Sequence, residues 1–296
     1  MTEEIAHLPS GVDLCYETFG SPRDPAVLLV MGLGGPLNWW EDSFCERLAA
    51  AGFHVIRYDN RDTGRSTGFP HRRIAARELV STFLGRPGRP VYGMSDFADD
   101  AIRLLDHLGI ERAHVVGVSM GGMIAQTIAI EHPLRLASLT SIMSTTGNRR
   151  VGWQAPQVLP RFLKPVRPGR EAYIERSIAN ATVLESAAFG ATWEAKRRRA
   201  EVTYDRGVDP TAIGRHMMAV LTQPDRTTAL GSVTAPTLVI HGTKDPMVHR
   251  SGGAATARAI PGARMLWIPG MAHDLPAQLN ATFVDAISRV AEKAGR

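Results

Sequence analysis

The chain has 296 residues, 44% of them hydrophobic and 21% charged, a balance that suits a globular protein with a large core and excludes both a disordered chain and a bundle of membrane helices. Lysine and arginine number 34 against 29 acidic residues, a formal charge of +5. The two dense basic runs are Arg72, Arg73 and Arg77 beyond His71, and Lys196, Arg197, Arg198 and Arg199 in a helix-like stretch. They lack interleaved aromatic residues and read as solvated faces, so nucleic-acid binding is excluded.

Residues 1–10 hold Glu3 and Glu4 and no apolar run, so they are expected to be neither a signal peptide nor a membrane span, and a cytoplasmic location follows as the expectation. Strands are expected at 12–18 and 26–31, a helix at 41–51 stopped by Gly52, and a strand at 54–58. An irregular stretch over 69–93, rich in glycine and proline toward its end, is long enough to read as a binding loop or lid. Helical spacing returns at 95–108, followed by an apolar strand at 113–118 and a helix at 120–131 that ends before His132-Pro133. After a strand at 136–143 the rhythm fails between 146 and 233, and strands resume at 237–241 and 264–268. Strands alternating with helices predict an α/β fold with a mostly parallel sheet flanked by helices. Residues 1–145 and 234–296 would form its core and residues 146–233 an inserted helical cap. Cys15 and Cys45 are too few for a disulfide framework and lack a C-x-x-C spacing, so both are expected to be reduced.

Gly117-Val118-Ser119-Met120-Gly121 is a G-x-S-x-G motif set between a strand and a helix, where a tight turn pushes a serine hydroxyl into the open and demands small flanking residues. Serine needs a base at neutral pH, and in this arrangement an acid and then a histidine should follow in chain order. Asp245, after the strand at 237–241, and His273, after the strand at 264–268, meet that order. Both fall at strand carboxyl ends, the edge where open α/β sheets bind ligands. His241, His249 and the other histidines read as surface or packing residues. Asp274 is a rival acid, less suited because a sequence neighbour cannot easily reach the far imidazole nitrogen.

Acyl transfer also needs donors aimed at an oxyanion. The Met120 N–H is the expected first donor, and Met31-Gly32-Leu33-Gly34-Gly35 offers Leu33 as the second, with Gly32 or Gly34 as alternatives. The same glycines lack the G-x-G-x-x-G spacing and the P-loop lysine, and no H-E-x-x-H cluster occurs, so neither a cofactor nor a metal is expected. Trp39, Trp40, Met120 and Met271 are candidates for an apolar acyl pocket, against the competing reading that they pack the core. Trp153, Phe162, Trp193, Met217 and Met218 are candidates to roof it. The turn from Asp59 through Arg61, Asp62, Gly64 and Arg65 to Ser66 reads as structural.

With Met31 to Gly35, Tyr58 to Ser66, Gly117 to Gly122, Asp245 and His273, the chain resembles the α/β-hydrolase family over nearly its whole length. Leu28-Leu29-Val30-Met31-Gly32 and Val55-Ile56-Arg57-Tyr58-Asp59-Asn60-Arg61-Asp62-Thr63-Gly64-Arg65-Ser66 are most similar to bacterial methylesterases of the aclacinomycin methylesterase type. The resemblance implies an eight-stranded, mostly parallel sheet with a helical cap between its sixth and seventh strands. It also implies a serine esterase acting on a small-molecule ester, which in that subgroup is a methyl ester on a polyketide. Dehalogenase and epoxide hydrolase relatives carry an aspartate where Ser119 stands. Perhydrolysis or carbon–carbon bond hydrolysis with the same three residues, or a noncatalytic small-ligand-binding protein, are the rival readings, and oligomeric state is left open, a homo-oligomer included.

Overall fold

The structure is a computed structural model that describes residues 2–158 and 167–295. Eight strands, β1 (Glu4–His7), β2 (Asp13–Phe19), β3 (Ala26–Val30), β4 (His54–Tyr58), β5 (Ala113–Val118), β6 (Leu136–Ile142), β7 (Thr237–Gly242) and β8 (Arg264–Ile268), form one sheet in the order β1-β2-β4-β3-β5-β6-β7-β8. β1 and β2 run antiparallel to their neighbours and the remaining pairs are parallel. Side chains alternate between the faces of a strand. Leu28, Val30, Ile56 and Val115 therefore face one core with Phe97 and Ile124, whereas Val27, Leu29, Val55 and Val116 face another with Phe44, Leu48 and Phe283. Burial on both faces explains why these strands read as mostly apolar runs.

The helices α1 (Asp42–Ala50), α3 (Met94–His107) and α4 (Met120–Glu131) stand where helical spacing placed them, and α9 (Asn280–Lys293) closes the chain. α4 is buried on every side from Met120 to Ala129, so it has no polar stripe to betray its orientation. Several elements, α9 among them, were not expected, and two of them show why. β1 was not expected, since Glu-Ile-Ala-His at the sheet edge buries only Ala6 and carries charge on its open side. The stretch 69–93 contains a two-turn helix, α2 (Ala76–Phe83), whose start is fixed by Glu78 Oε1 accepting the Ala75 N–H at 3.0 Å. Eight residues give too few periods for the pattern to stand out.

Between β6 and β7 the chain runs through α5 (Arg170–Leu184), α6 (Trp193–Asp205) and α7 (Ala212–Thr222), with no strand among the described residues; α8 (Ser251–Ala259) follows β7. Three of the four basic residues in the run on α6 meet acids: Arg197 meets Glu171 at 2.8 Å, and Lys196 and Arg199 meet Glu185 at 3.0 and 2.6 Å. α7 is tied to the turn after β4 by a buried ion pair in which Arg215 donates to both oxygens of Asp62, at 2.6 and 2.8 Å. Burial alone would raise the Asp62 carboxyl, but Arg215, the Tyr92 hydroxyl and the Phe69 N–H outweigh it and hold it below the usual range. The polar turn 59–66 is thus structural, as expected, and it is where this helix docks.

Arg215 and Asp62 both have fully buried side chains, so removing one partner leaves a charge with no water to take its place. Arg215→Met is expected to lower the free energy of unfolding by about 3–5 kcal/mol in a urea titration, with part recovered when Asp62→Leu is added. An unchanged midpoint in the single variant would show that the pair does not hold α7.

Candidate active site

β3 pairs with β4 on one side and β5 on the other, so the chain reverses its direction of winding at β3, and the loops after β3 and β5 open into the crevice this creates. Ser119 stands at that point with φ 55° and ψ −117°, a conformation that costs an L-residue about 1–3 kcal/mol and persists only where the surroundings enforce it. They do so through backbone contact. A Cβ on Gly117 would lie 2.1 Å from the Gly121 carbonyl oxygen, and one on Gly121 would lie 2.1 Å from that of Val30. The turn is held further by the Ser119 N–H donating to Ile142 O at 2.9 Å, and by the Ser144 hydroxyl donating to Ser119 O at 2.8 Å.

The three residues expected from chain order meet. His273 Nε2 is 3.0 Å from Ser119 Oγ, and His273 Nδ1 is 2.8 Å from Asp245 Oδ2. The carboxylate can only accept, so Nδ1 carries the proton and Nε2 is left to accept from the serine hydroxyl. Asp245 is buried, and its other oxygen accepts the Met247 and Val248 N–H groups, each at 2.8 Å. Burial pushes this carboxyl up, but His273 and His241 reverse the effect and leave it well below the usual range. His241 is buried, donates Nε2–H to Val248 O at 2.8 Å and lies 3.4 Å from Asp245 Oδ2. Asp274 makes a different contact, accepting the Ser186 hydroxyl at 2.5 Å.

On the other side of Ser119 lies the glycine-rich loop after β3. A Cβ on Gly32 would be 3.3 Å from Ser119 Cβ, so the loop backbone borders the nucleophile position directly. Of the proposed donors, Gly34 is engaged: its N–H donates to His216 Nδ1 at 3.2 Å. Among the described residues, the Leu33 and Met120 N–H groups donate to no protein acceptor.

The pocket candidates scatter. Trp40 and Met271 are buried in the core that contains Phe44 and Phe283. Trp39 is half-buried and donates Nε1–H to Thr203 on α6 at 3.0 Å. Trp153 is 53% exposed and stacks on His249, Trp193 is exposed under Arg197, Met217 is half-buried on α7, and Met218 is buried against Gly88. Phe162 lies outside the described residues.

Sequence reasoning missed Ser144, Ser186 and His216. Ser186 is buried, accepts the Ala272 N–H at 2.8 Å and donates to Asp274, while the His273 N–H donates to Leu184 O at 2.8 Å. The end of α5 therefore grips the loop on both sides of His273. His216 falls among the histidines that read as surface or packing residues, and no spacing in the sequence links it to Gly34, 182 positions away.

A mostly parallel sheet, a strained serine between β5 and α4, and an acid and a histidine delivered by the last two strands define a hydrolase fold. The chain belongs to the alpha/beta hydrolase fold family, whose model matches residues 25–277. It is 34% identical over 299 residues to rhodomycin D methylesterase DnrP of Streptomyces peucetius, covering 93% of this chain and 94% of that one. It is 30% identical to the putative carbamate hydrolase RutD of Variovorax paradoxus strain S110, over 94% of this chain and 97% of that one. Its fold is similar to that of the enol-lactonase of Burkholderia xenovorans LB400, with a TM-score of 0.73, 23% identity, and coverage of 98% and 100%. Among the described residues, no helix is long and apolar enough to cross a membrane, and no cluster of side chains is placed to hold a metal ion.

Removing the Ser186 hydroxyl leaves a buried N–H and a half-buried carboxyl each short of a partner. Ser186→Ala is expected to cost about 1–3 kcal/mol in chemical denaturation, and a loss below ~0.5 kcal/mol would show that water replaces the hydroxyl. His216 supplies a pH signature. Burial lowers its pKa from 6.5 to about 4. Between these values the unfolded chain binds a proton that the folded chain does not, so stability falls as pH drops through that window. His216→Asn should flatten this part of a stability-against-pH curve, measured by urea midpoints; an identical slope would assign it to other groups.

Proposed function

We propose that the chain is a carboxylic ester hydrolase that works through an acyl-enzyme on Ser119, with His273 as base and Asp245 as its orienting acid. The observation that carries this reading is the continuous hydrogen-bonded line from Ser119 Oγ to His273 at 3.0 Å and on to Asp245 at 2.8 Å, set at the crevice of the sheet. The serine oxygen attacks the ester carbonyl while His273 Nε2 takes its proton, and the tetrahedral intermediate collapses as His273 returns that proton to the departing alcohol. Water then attacks the acyl-enzyme, giving its proton to His273, and the carboxylic acid leaves as Ser119 recovers the hydrogen. Asp245 keeps Nδ1 protonated and stabilises the imidazolium; its low pKa suits a group that stays ionised throughout.

The N–H groups of Met120 and Leu33 receive the oxyanion in this reading. Met120 opens α4, so the helix dipole adds to its pull, and one such donor contributes roughly 3–4 kcal/mol to the transition state. The substrate class is a small apolar ester, with a methyl ester as the leading choice because the chain is 34% identical to a rhodomycin D methylesterase. Residues 146–233 act as the cap that selects it, over a core of residues 1–145 and 234–296. No cofactor takes part in any step of this mechanism.

A series of p-nitrophenyl esters from acetate to decanoate tests the chemistry, and methanol release from methyl esters tests the substrate class. Ser119→Ala is expected to lower kcat by roughly 10⁴- to 10⁶-fold and Asp245→Asn by about 10⁴-fold. Equal turnover by wild type and Ser119→Ala would remove the serine from the mechanism. Turnover of p-nitrophenyl esters without methanol release would keep the mechanism and discard the methyl ester.

A further inference from the structure

The loop that borders Ser119 is glycine at Gly32, Gly34 and Gly35, so side-chain sterics do little to fix the direction of its amides. Gly34 sits at φ +65° in a turn closed by the Gly35 N–H donating to Gly32 O at 3.1 Å, and α7 restrains it further: Ile213 Cγ1 lies 3.3 Å from where a Gly34 Cβ would be, and His216 Nδ1 accepts the Gly34 N–H at 3.2 Å. The ring of His216 is itself held on several sides. Its Nε2 donates to Arg61 O at 2.9 Å, and Tyr92 and Phe97 pack edge-on at 6.0 and 5.3 Å between ring centres. Arg215, the preceding residue on the same helix, locks α7 to Asp62.

We propose that His216 is a positioning residue for the oxyanion site, holding the Gly34 peptide so that the Leu33 N–H faces the carbonyl attacked by Ser119. The inference rests on the acyl-transfer reading above. The peptide unit is planar, so holding the Gly34 N–H also holds the Leu33 carbonyl and the torsion on that side of the Leu33 Cα; the Leu33 N–H lies across that Cα, with one torsion left between it and the held peptide. The role requires the neutral ring with its proton on Nε2, since an imidazolium has no lone pair on Nδ1. Burial keeps the ring in that form by lowering its pKa to about 4. An oxyanion donor is useful only when aimed in advance, and here a residue from the excursion between β6 and β7 adds to what the turn of the loop itself fixes.

Asparagine and glutamine separate this role from a packing role, because an asparagine amide reaches the place of Nδ1 and a glutamine amide that of Nε2. Kinetics on a p-nitrophenyl ester should show His216→Asn within about threefold of wild type, whereas His216→Gln loses about 10- to 100-fold in kcat with KM changed less than about twofold. Inhibition by a trifluoromethyl ketone, which forms an oxyanion on the serine, should weaken by a similar factor in His216→Gln alone. Equal kcat in the two variants, or a loss confined to KM, would overturn the proposal. A through-hydrogen-bond coupling between Gly34 N and His216 Nδ1 in ¹⁵N-labelled wild type should be seen whatever the variants do, and its absence would overturn the proposal without any variant. Ser119→Ala in the same assay keeps the two readings apart. Full activity there sinks the acyl-transfer reading, while its loss together with equal Asn and Gln variants sinks only the role of His216.

Discussion

Backbone meets backbone at the turn after β5, and this contact sets the terms for the rest of the site. The Cα of Gly121 presses on the carbonyl of Val30 at the end of β3, and the Cα of Gly117 presses on Gly121, leaving no room for a β-carbon at either place. Packing this close bends the chain sharply enough to place Ser119 in its unfavourable conformation, and it brings the loop after β3 alongside the hydroxyl. The other two residues then arrive by strand pairing. β7 and β8 run parallel with Gly242 beside Ile268, and the loops beyond them are joined by the Lys244 N–H donating to Met271 O at 2.9 Å. Asp245 and His273 are thereby held on adjacent loops, and the alignment of strands fixes the spacing of groups far apart in the chain.

The sheet alone does not hold these groups still. The loop bearing His273 donates hydrogen bonds to Leu184 O and Ser186 Oγ at the end of α5, and the loop after β3 is held by His216 on α7. The helices between β6 and β7 therefore support both sides of Ser119, and they dock through directional, largely buried polar contacts such as Arg215 with Asp62. Buried polar groups are costly unless every partner is in place, so such contacts favour one seating of the helices over many. A purely apolar contact of the same size would tolerate sliding.

Every strand except β1 was expected, and the central ones were the most legible, because parallel strands covered on both faces leave apolar runs such as that of β3. Ser119, Asp245 and His273 were legible because Ser119 follows β5 directly and the other two stand in the loops just after β7 and β8, the edge where such a fold brings residues together. What escaped detection has no local pattern. Ser186 and His216 act through contacts 86 and 182 residues distant in sequence, and a serine or histidine on a helix looks the same whether it holds a loop or faces solvent. Trp40 and Met271 show the opposite difficulty. Their positions beside functional loops invite a pocket reading, yet their side chains turn into the core, a choice set by packing that sequence adjacency does not record.

The two acids near His273 show how environment divides labour that composition leaves undecided. Both are aspartates in loops, and Asp274 is the closer in sequence. Burial pushes both carboxyls up, but the directions separate once their partners are counted. Asp245 faces His273 and His241 and accepts backbone N–H groups from Met247 and Val248, which together favour the ionised form. Asp274 faces the Ser186 hydroxyl, with Glu185 near enough to oppose a second negative charge, and its pKa stays raised. A carboxyl that orients a histidine must remain ionised while the imidazolium forms beside it, whereas one that only anchors a loop needs a single good donor. The surroundings of each aspartate thus match one task and not the other, and the choice of Asp245 follows from its hydrogen-bond partners as much as from its distance to Nδ1.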